Sequence, residues 1–168
     1  MNEFSTILKN EMSSIGISLN ESQIDAFKAF FEDLVEKNKV MNLTAITDMH
    51  EVINKHYVDS VMTWKLISDY AARVNAQAAE DRKISICDIG TGAGFPGIPL
   101  AIVFPDIEFV LIDSLNKRIN FINEEVHKLG INNVIGVHGR TEDLAHDEAY
   151  REAFDIALSR AVANLSTL

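Results

Sequence analysis

Residues 88–97 read DIGTGAGFPG, and this segment is the strongest indication of the fold in the chain. It follows the apolar run 84–89 and precedes a second apolar run, so it predicts a glycine-rich turn between a β-strand and an α-helix. Gly90, Gly92 and Gly94 stand at every second position. A loop without β-carbons lets backbone amides approach a ligand closely and tolerates positive φ angles. The stretch therefore indicates a loop that holds a cofactor.

The spacing of the glycines distinguishes two classes of cofactor. A dinucleotide-binding loop has the pattern G-x-G-x-x-G, but here the third position is Phe95 and the glycine comes one residue earlier, at Gly94. A bulky apolar side chain there can cover a cofactor, but it leaves no passage for the pyrophosphate of a dinucleotide. The pattern D-x-G-x-G-x-G therefore favours S-adenosylmethionine, and a nicotinamide-dependent oxidoreductase is the less favoured alternative.

Length, composition and charge limit the class of protein. The chain has 168 residues, 47% of them hydrophobic and 24% charged, which predicts one well-packed globular core. It shows no signal sequence or membrane-spanning run, and its single cysteine, Cys87, fits a reducing compartment, so we expect a cytoplasmic protein. The net charge of −10 argues against nucleic-acid binding through a broad positive field, and any such contact must be local. The five histidines lack the spacing of a zinc motif, so we expect no metal site.

The N-terminal half of the chain predicts helices alone. Asn20 and Gln23 form a capping-box pattern at the start of an amphipathic helix, and a less regular helix follows Asp48. Residues 71–83 are small and polar, which predicts a helix end and a linker. We therefore divide the chain into an N-terminal helical cap with its linker, residues 1–83, and a Rossmann-like core, residues 84–168.

The second part of the chain alternates short apolar runs with helices. The runs at 84–89, 109–112, 134–137 and 154–158 predict four strands of a parallel sheet. The predicted fold is α/β, the Rossmann-like sheet of a class I S-adenosylmethionine-dependent methyltransferase, with helices on both faces and about four of seven strands. The fourth strand would then be an exposed apolar edge, and we expect the chain to lack its C-terminal part.

The ligand of such a sheet lies outside the carboxyl ends of the strands. The loop amides and the following helix start suit a carboxylate such as that of methionine. Asp113, with Ser114 beside it, follows the second strand, and its carboxylate would accept hydrogen bonds from ribose hydroxyls. A structural role at the start of a helix is the alternative for Asp113. Residues 139–143 follow the third strand, and Arg160 follows the fourth.

Six motifs in order resemble those of the ribosomal RNA small subunit methyltransferase G family, also called glucose-inhibited division protein B. They are residues 42–44 (NLT), 56–60 (HYVDS), 88–100 (DIGTGAGFPGIPL), 111–118 (LIDSLNKR), 139–143 (GRTED) and 154–163 (FDIALSRAVA). The resemblance covers nearly the whole chain. It implies methylation of N7 of guanine 527 in 16S ribosomal RNA, with S-adenosylmethionine as the cofactor and the small ribosomal subunit as the partner.

Matching positions assign the residues of the site. The resemblance places Gly90 and Phe95 in the loop that holds the cofactor, Thr141 and Glu142 beside the adenine, and an arginine, Arg160, after the fourth strand. The full set of predicted cofactor-binding residues is Gly90, Gly92, Gly94, Phe95, Asp113, Ser114, Thr141, Glu142 and Arg160. The candidates on the substrate side are Asn42, His56, Asp59, Lys117 and Arg118.

Several of these residues have a structural alternative. An ion pair with a nearby carboxylate, such as Asp155 or Glu142, would also explain Arg160. Capping or packing would explain His56 and Asp59. Lys117 and Arg118 lie in the first turn of a helix, where positive charge is unfavourable. We therefore expect them to meet RNA phosphates, while solvated side chains near Asp113 are the alternative.

The expected chemistry needs no general base, because guanine N7 carries an unprotonated lone pair at neutral pH. No catalytic residue is assigned. Enzymes that methylate exocyclic amines carry an Asn/Asp-Pro-Pro motif after the fourth strand, but this chain has Leu158, Ser159 and Arg160 there. Cys87 is predicted within a strand, so it is no candidate for the cysteine nucleophile of other methyltransferases. A binding module that holds cofactor or RNA without turnover is the alternative function.

Overall fold

The computed structural model describes residues 2–77 and 83–160. Helices precede the sheet, and then strands and helices alternate. The helices are α1 (Glu3–Ser14), α2 (Glu21–Met41), α3 (Met49–Val52), a π-helix (Ile53–Val58), α4 (Asp59–Val61), α5 (Trp64–Gln77), α6 (Gly97–Val103), α7 (Asn116–Lys128) and α8 (Thr141–Leu144). The strands are β1 (Ser85–Ile89), β2 (Glu108–Asp113), β3 (Val134–His138) and β4 (Ile156–Ser159).

The predicted capping box begins α2. The Asn20 side chain accepts a hydrogen bond from the Gln23 amide, and the Gln23 side chain accepts one from the Asn20 amide, both at 2.9 Å. Four α2 side chains, Ile24, Phe27, Phe30 and Leu34, are fully buried. The apolar face of the amphipathic helix α2 therefore packs against the core, as predicted.

The irregular second helix is confirmed, and its irregularity is a π-helix. Asp48 accepts a hydrogen bond from the Glu51 amide at 3.1 Å, as the sequence predicts. After α3 the backbone widens into the π-helix, narrows again in α4 and continues as α5 to Gln77. The predicted linker falls partly on residues 78–82, outside the described residues. The division of the chain at residue 83 stays a prediction, and buried side chains on both sides of it form one hydrophobic cluster.

The four strands form a parallel sheet in the order β3-β2-β1-β4. The predicted strands are confirmed, and Cys87 is buried within β1. Ile89 pairs with Ile112 of β2 and with Ser159 of β4, so the carboxyl ends of the strands meet at one edge. The strand order reverses at β1, because β2 lies on one side of it and β4 on the other. The crevice between β1 and β4 is thus the topological switch point.

Among the described strands β4 pairs with β1 alone. Ile156 and Leu158 are half-buried against the core. No helix within residues 2–77 and 83–160 is long and apolar enough to cross a membrane.

Candidate cofactor and substrate site

The glycine-rich loop is attached to the end of β2 by its backbone. The Gly90 and Thr91 amides both donate to the Ile112 carbonyl, at 2.9 and 3.0 Å. Gly90, Gly92 and Gly94 have φ angles of 69°, 64° and 92°, a region that side chains with a β-carbon rarely adopt. The loop therefore needs glycine for its backbone conformation. An added Cβ at Gly92 would meet no atom within 4 Å, so the loop is open there.

A buried carboxylate, Asp88, holds the two ends of the loop together. Its Oδ2 accepts hydrogen bonds from Thr91 Oγ1 at 2.6 Å and from the Gly97 amide at 2.9 Å. Burial raises the pKa of Asp88 to about 6, although both hydrogen bonds act in the opposite direction. Asp88 is not among the predicted site residues, but a charged residue inside an apolar strand was a usable signal.

Asp113 fastens the loop from the second strand. Its Oδ2 accepts from the Gly92 amide at 3.0 Å, and its Oδ1 accepts from the Leu115 amide at 2.8 Å. Arg118 Nη1 donates to Oδ2 at 3.2 Å. Asp113 is 3% exposed. Because a carboxylate offers about four acceptor positions, these three contacts leave capacity for one ligand hydroxyl. Asp113 thus lies beside the loop, where it was predicted. It also has the structural role at the start of α7 that was given as the alternative.

The two predicted basic residues differ in their surroundings. The Arg118 guanidinium is paired with Asp113, and its side chain is 34% exposed. This contact is the structural alternative that the sequence left open for Arg118. Lys117 is exposed and has no ion-pair partner within residues 2–77 and 83–160. Lys117 therefore stays the better candidate for a contact with RNA phosphates.

Three predicted residues follow the ends of β2 and β3. The Gly139 amide donates to the Asp113 carbonyl at 3.1 Å, so the chain after β3 stays against the end of β2. Helix α8 then begins at Thr141. Ser114 and Glu142 are exposed, and Thr141 is half-buried. All three lie at the carboxyl edge of the sheet, and their assignment to the cofactor stays a prediction.

Arg160 reaches the N-terminal helices. Its Nη1 donates to Asp59 Oδ2 at 2.8 Å and to the Lys55 carbonyl at 3.2 Å. Its guanidinium carbon lies 5.3 Å from the centre of the Phe95 ring, within the range of a cation–π interaction. The structural alternative for Arg160, an ion pair with a nearby carboxylate, is therefore present, and the carboxylate is Asp59 rather than Asp155 or Glu142.

His56 joins the same group. Its ring stacks on Phe95 with centroids 4.5 Å apart and an angle of 14° between planes. Nδ1 lies 3.1 Å from Arg160 Nη2, and Nε2 lies 2.8 Å from Thr44 Oγ1. Burial and then the Arg160 charge lower the pKa of His56 to about 4, so the ring is neutral at pH 7. We call His56, Asp59, Phe95 and Arg160, together with Thr44, the switch-point cluster.

Local backbone features build the switch-point cluster. The π-helix and the start of α4 present the Lys55 carbonyl, His56 and Asp59 to one guanidinium, and π-turns are frequent at functional sites. Asn42 ends α2 in the left-handed conformation, with a φ of 50°. The turn after it brings Thr44 beside His56. In this structure Asn42 therefore shapes the backbone that carries Thr44.

The sheet and this site define the class of protein. A parallel Rossmann-like sheet, flanked by helices, with a glycine-rich loop after β1 and an acidic residue ending β2, is the fold of a class I methyltransferase. A family model described as rRNA small subunit methyltransferase G matches residues 23–168. The chain belongs to this family, so the family predicted from the six motifs is confirmed.

Curated relatives are similar over nearly the whole chain. A ribosomal RNA small subunit methyltransferase G of Lachnoclostridium phytofermentans is 44% identical over 168 residues, covering all of this chain and 64% of the relative. Those of Clostridium perfringens and Lactococcus lactis subsp. cremoris are 44% and 46% identical, covering 99% and 94% of this chain and 65% and 62% of the relatives. The chain thus spans a little less than two thirds of the length of these relatives.

Proposed function

We propose that the protein transfers a methyl group from S-adenosylmethionine to N7 of guanine 527 in 16S ribosomal RNA. Family membership supports this reaction, and one structural observation is its main support. The open glycine loop, fastened to Asp113, lies beside the switch-point cluster at the carboxyl edge of the sheet. That edge is where ligands of this fold bind.

The residues present fit the cofactor. Backbone amides of the loop suit its carboxylate, and the open position at Gly92 lets it approach the backbone. Asp113 has acceptor capacity for a ribose hydroxyl, and Ser114, Thr141 and Glu142 are available beside the adenine. When bound, S-adenosylmethionine supplies an electrophilic methyl group on a sulfonium centre.

The strand order supports one orientation of the cofactor along the carboxyl edge of the sheet. Asp113 ends β2 and Thr141 follows β3, whereas Phe95 follows β1 and Arg160 follows β4. A cofactor with its ribose and adenine over β2 and β3 has its methionine end over β1. The reacting methyl group then faces the switch-point cluster, so the acceptor base belongs on that side.

The chain's own contribution to the reaction is alignment and charge. N7 needs no deprotonation, so the site has to hold the base in line with the methyl group and exclude competing orientations. Asp59 pairs with Arg160, so the positive charge that passes to the purine does not meet an uncompensated guanidinium. His56 is neutral and adds no charge of its own. Our candidates for contacts with the RNA remain Asn42, His56, Asp59, Lys117 and Arg118. The small ribosomal subunit is the proposed partner.

Two measurements test the proposal. Calorimetric titration should show binding of S-adenosylmethionine and no comparable binding of NAD, and tight NAD binding alone would overturn the cofactor assignment. Small-subunit RNA or particles that lack the modification should gain 7-methylguanine, detected by cleavage of the RNA at that base. Cofactor binding without methylated product would instead identify a binding module without turnover.

A further inference from the structure

The hydrogen bonds of the switch-point cluster determine which nitrogen of His56 carries the proton. A guanidinium can only donate, so Nδ1 of His56 must accept the hydrogen bond from Arg160 Nη2 at 3.1 Å. A neutral imidazole has one protonated nitrogen, which is then Nε2. The contact of 2.8 Å between Nε2 and Thr44 Oγ1 is therefore a hydrogen bond donated by His56.

Thr44 Oγ1 also accepts a second hydrogen bond. The Ile46 amide donates to it at 3.1 Å. A hydroxyl oxygen has two lone pairs and one proton, so both acceptor positions of Thr44 are occupied from within the protein. Apart from Nε2 of His56, no acceptor for the hydroxyl proton is hydrogen-bonded to Thr44 Oγ1 among residues 2–77 and 83–160. Thr44 is half-buried and behaves as a group that can only donate.

We propose that the Thr44 hydroxyl donates a hydrogen bond to O6 of the acceptor guanine and so helps to select guanine. This inference rests on the proposed function, which brings the base to the switch-point cluster. On a purine, O6 of guanine lies next to N7, whereas adenine carries an amino group there. A hydroxyl that can only donate matches the oxygen and cannot pair with the amino group. Thr44 is thus a specificity-determining residue, and His56 is the positioning residue that occupies one of its lone pairs.

The test removes either the Thr44 hydroxyl or O6 of the guanine, the two partners of the proposed hydrogen bond. Thr44→Val keeps the shape of the side chain without the hydroxyl, and Thr44→Ser keeps the hydroxyl as the matched control. On the RNA, 2-aminopurine at the target position keeps N7 and lacks O6. Affinity of the full chain for small-subunit RNA fragments with guanine or 2-aminopurine is measured by fluorescence or calorimetry, alongside methylation of the guanine RNA.

The wild type and Thr44→Ser should bind or methylate the guanine RNA about fivefold to tenfold better than the 2-aminopurine RNA, the size of one neutral hydrogen bond. Thr44→Val should lose this preference. Nitrogen-15 NMR of the protein alone should show the proton of His56 on Nε2. A Thr44→Val variant with undiminished preference for guanine, or a His56 protonated on Nδ1, would overturn the inference.

Two further results separate this inference from the proposed function. If Thr44→Val weakens S-adenosylmethionine binding and leaves the preference for guanine intact, the hydroxyl serves the cofactor and the inference is wrong. If the wild type methylates no RNA, the proposed function is wrong, and RNA affinity still decides whether Thr44 distinguishes the two bases.

Discussion

Arg160 donates a hydrogen bond of 2.8 Å to Asp59, a residue 101 positions earlier in the chain. This contact joins the end of β4 to the helices that precede the sheet. It places the guanidinium against both Phe95 and His56, so one edge of the site combines residues from two distant parts of the sequence.

Asp59→Asn is expected to lower cofactor affinity and turnover about threefold to tenfold, with little change in stability. The pair is only partly buried, with side chains 26% and 56% exposed, so its loss should cost about 0.5–1 kcal/mol of unfolding free energy. The larger effect is that Arg160 loses its fixed orientation over Phe95. Calorimetric titration and denaturant unfolding measure the two effects. Glu51→Gln, which removes the exposed pair with Lys55, is the control that should leave binding unchanged.

Gly92→Ala is expected to weaken S-adenosylmethionine binding about tenfold or more while the fold survives. With a φ of 64° and no atom within 4 Å of the added Cβ, the folding cost is the left-handed conformation alone, about 1–2 kcal/mol. The methyl group would project into the space where the cofactor approaches the loop. Gly130→Ala is the matched control, because Gly130 has a φ of 67° and also no neighbour within 4 Å. Equal loss of affinity in both variants would contradict the placement of the cofactor.

Glu125→Gln is expected to stabilise the protein at high pH and to have little effect near pH 5. Glu125 is 3% exposed, and burial, followed by the charge of Asp33, raises its pKa to about 8. Between about 4.5 and 8 the folded state keeps a proton that the unfolded state has lost, so stability falls as pH rises through this window. Glutamine cannot ionise and removes this loss, which should be of order 5 kcal/mol above pH 8.

Denaturant unfolding at pH 5 and pH 9 checks the effect at Glu125. The other titratable groups around it are Asp33, Lys37, Lys128 and Tyr57. Glu124→Gln, at an exposed position on the same helix, retains Glu125, so its pH profile should run parallel to that of the wild type. Parallel pH profiles for the wild type and Glu125→Gln would disprove the assignment.

Lys117→Ala is expected to weaken RNA binding and to reduce its salt slope by about one, while S-adenosylmethionine affinity stays unchanged. The reason is that Lys117 is exposed at the carboxyl edge without an ion-pair partner within residues 2–77 and 83–160. Arg118→Ala should also lower the affinity for S-adenosylmethionine, because it removes a partner of Asp113 beside the loop. Lys65→Ala, at an exposed position on α5, is the control. An unchanged salt slope in Lys117→Ala would remove Lys117 from the RNA surface.

Much of the fold could be predicted because its signals are local. Asn20 and Gln23 are three residues apart, and the four strands are short apolar runs between helices, so neighbouring residues carry the information. The loop residues Gly90, Gly92 and Gly94 were likewise predictable, since positive φ angles are a property of the residue itself. The partner of Arg160 could not be predicted, because several carboxylates were available and their distances depend on how the helices pack.

The order of the elements, the glycine-rich loop and the family could be read from the amino-acid sequence, because they follow from local pattern and spacing. The tertiary structure alone decided that Asp88 and Asp113 hold the loop from two strands, and that Arg160 pairs with Asp59. It also placed Arg160 and Thr44 beside the two ring nitrogens of His56. Most of these properties arise from contacts between residues far apart in the chain, because Asp113 reaches Gly92 from β2 and Arg160 reaches His56 and Asp59 from the end of β4.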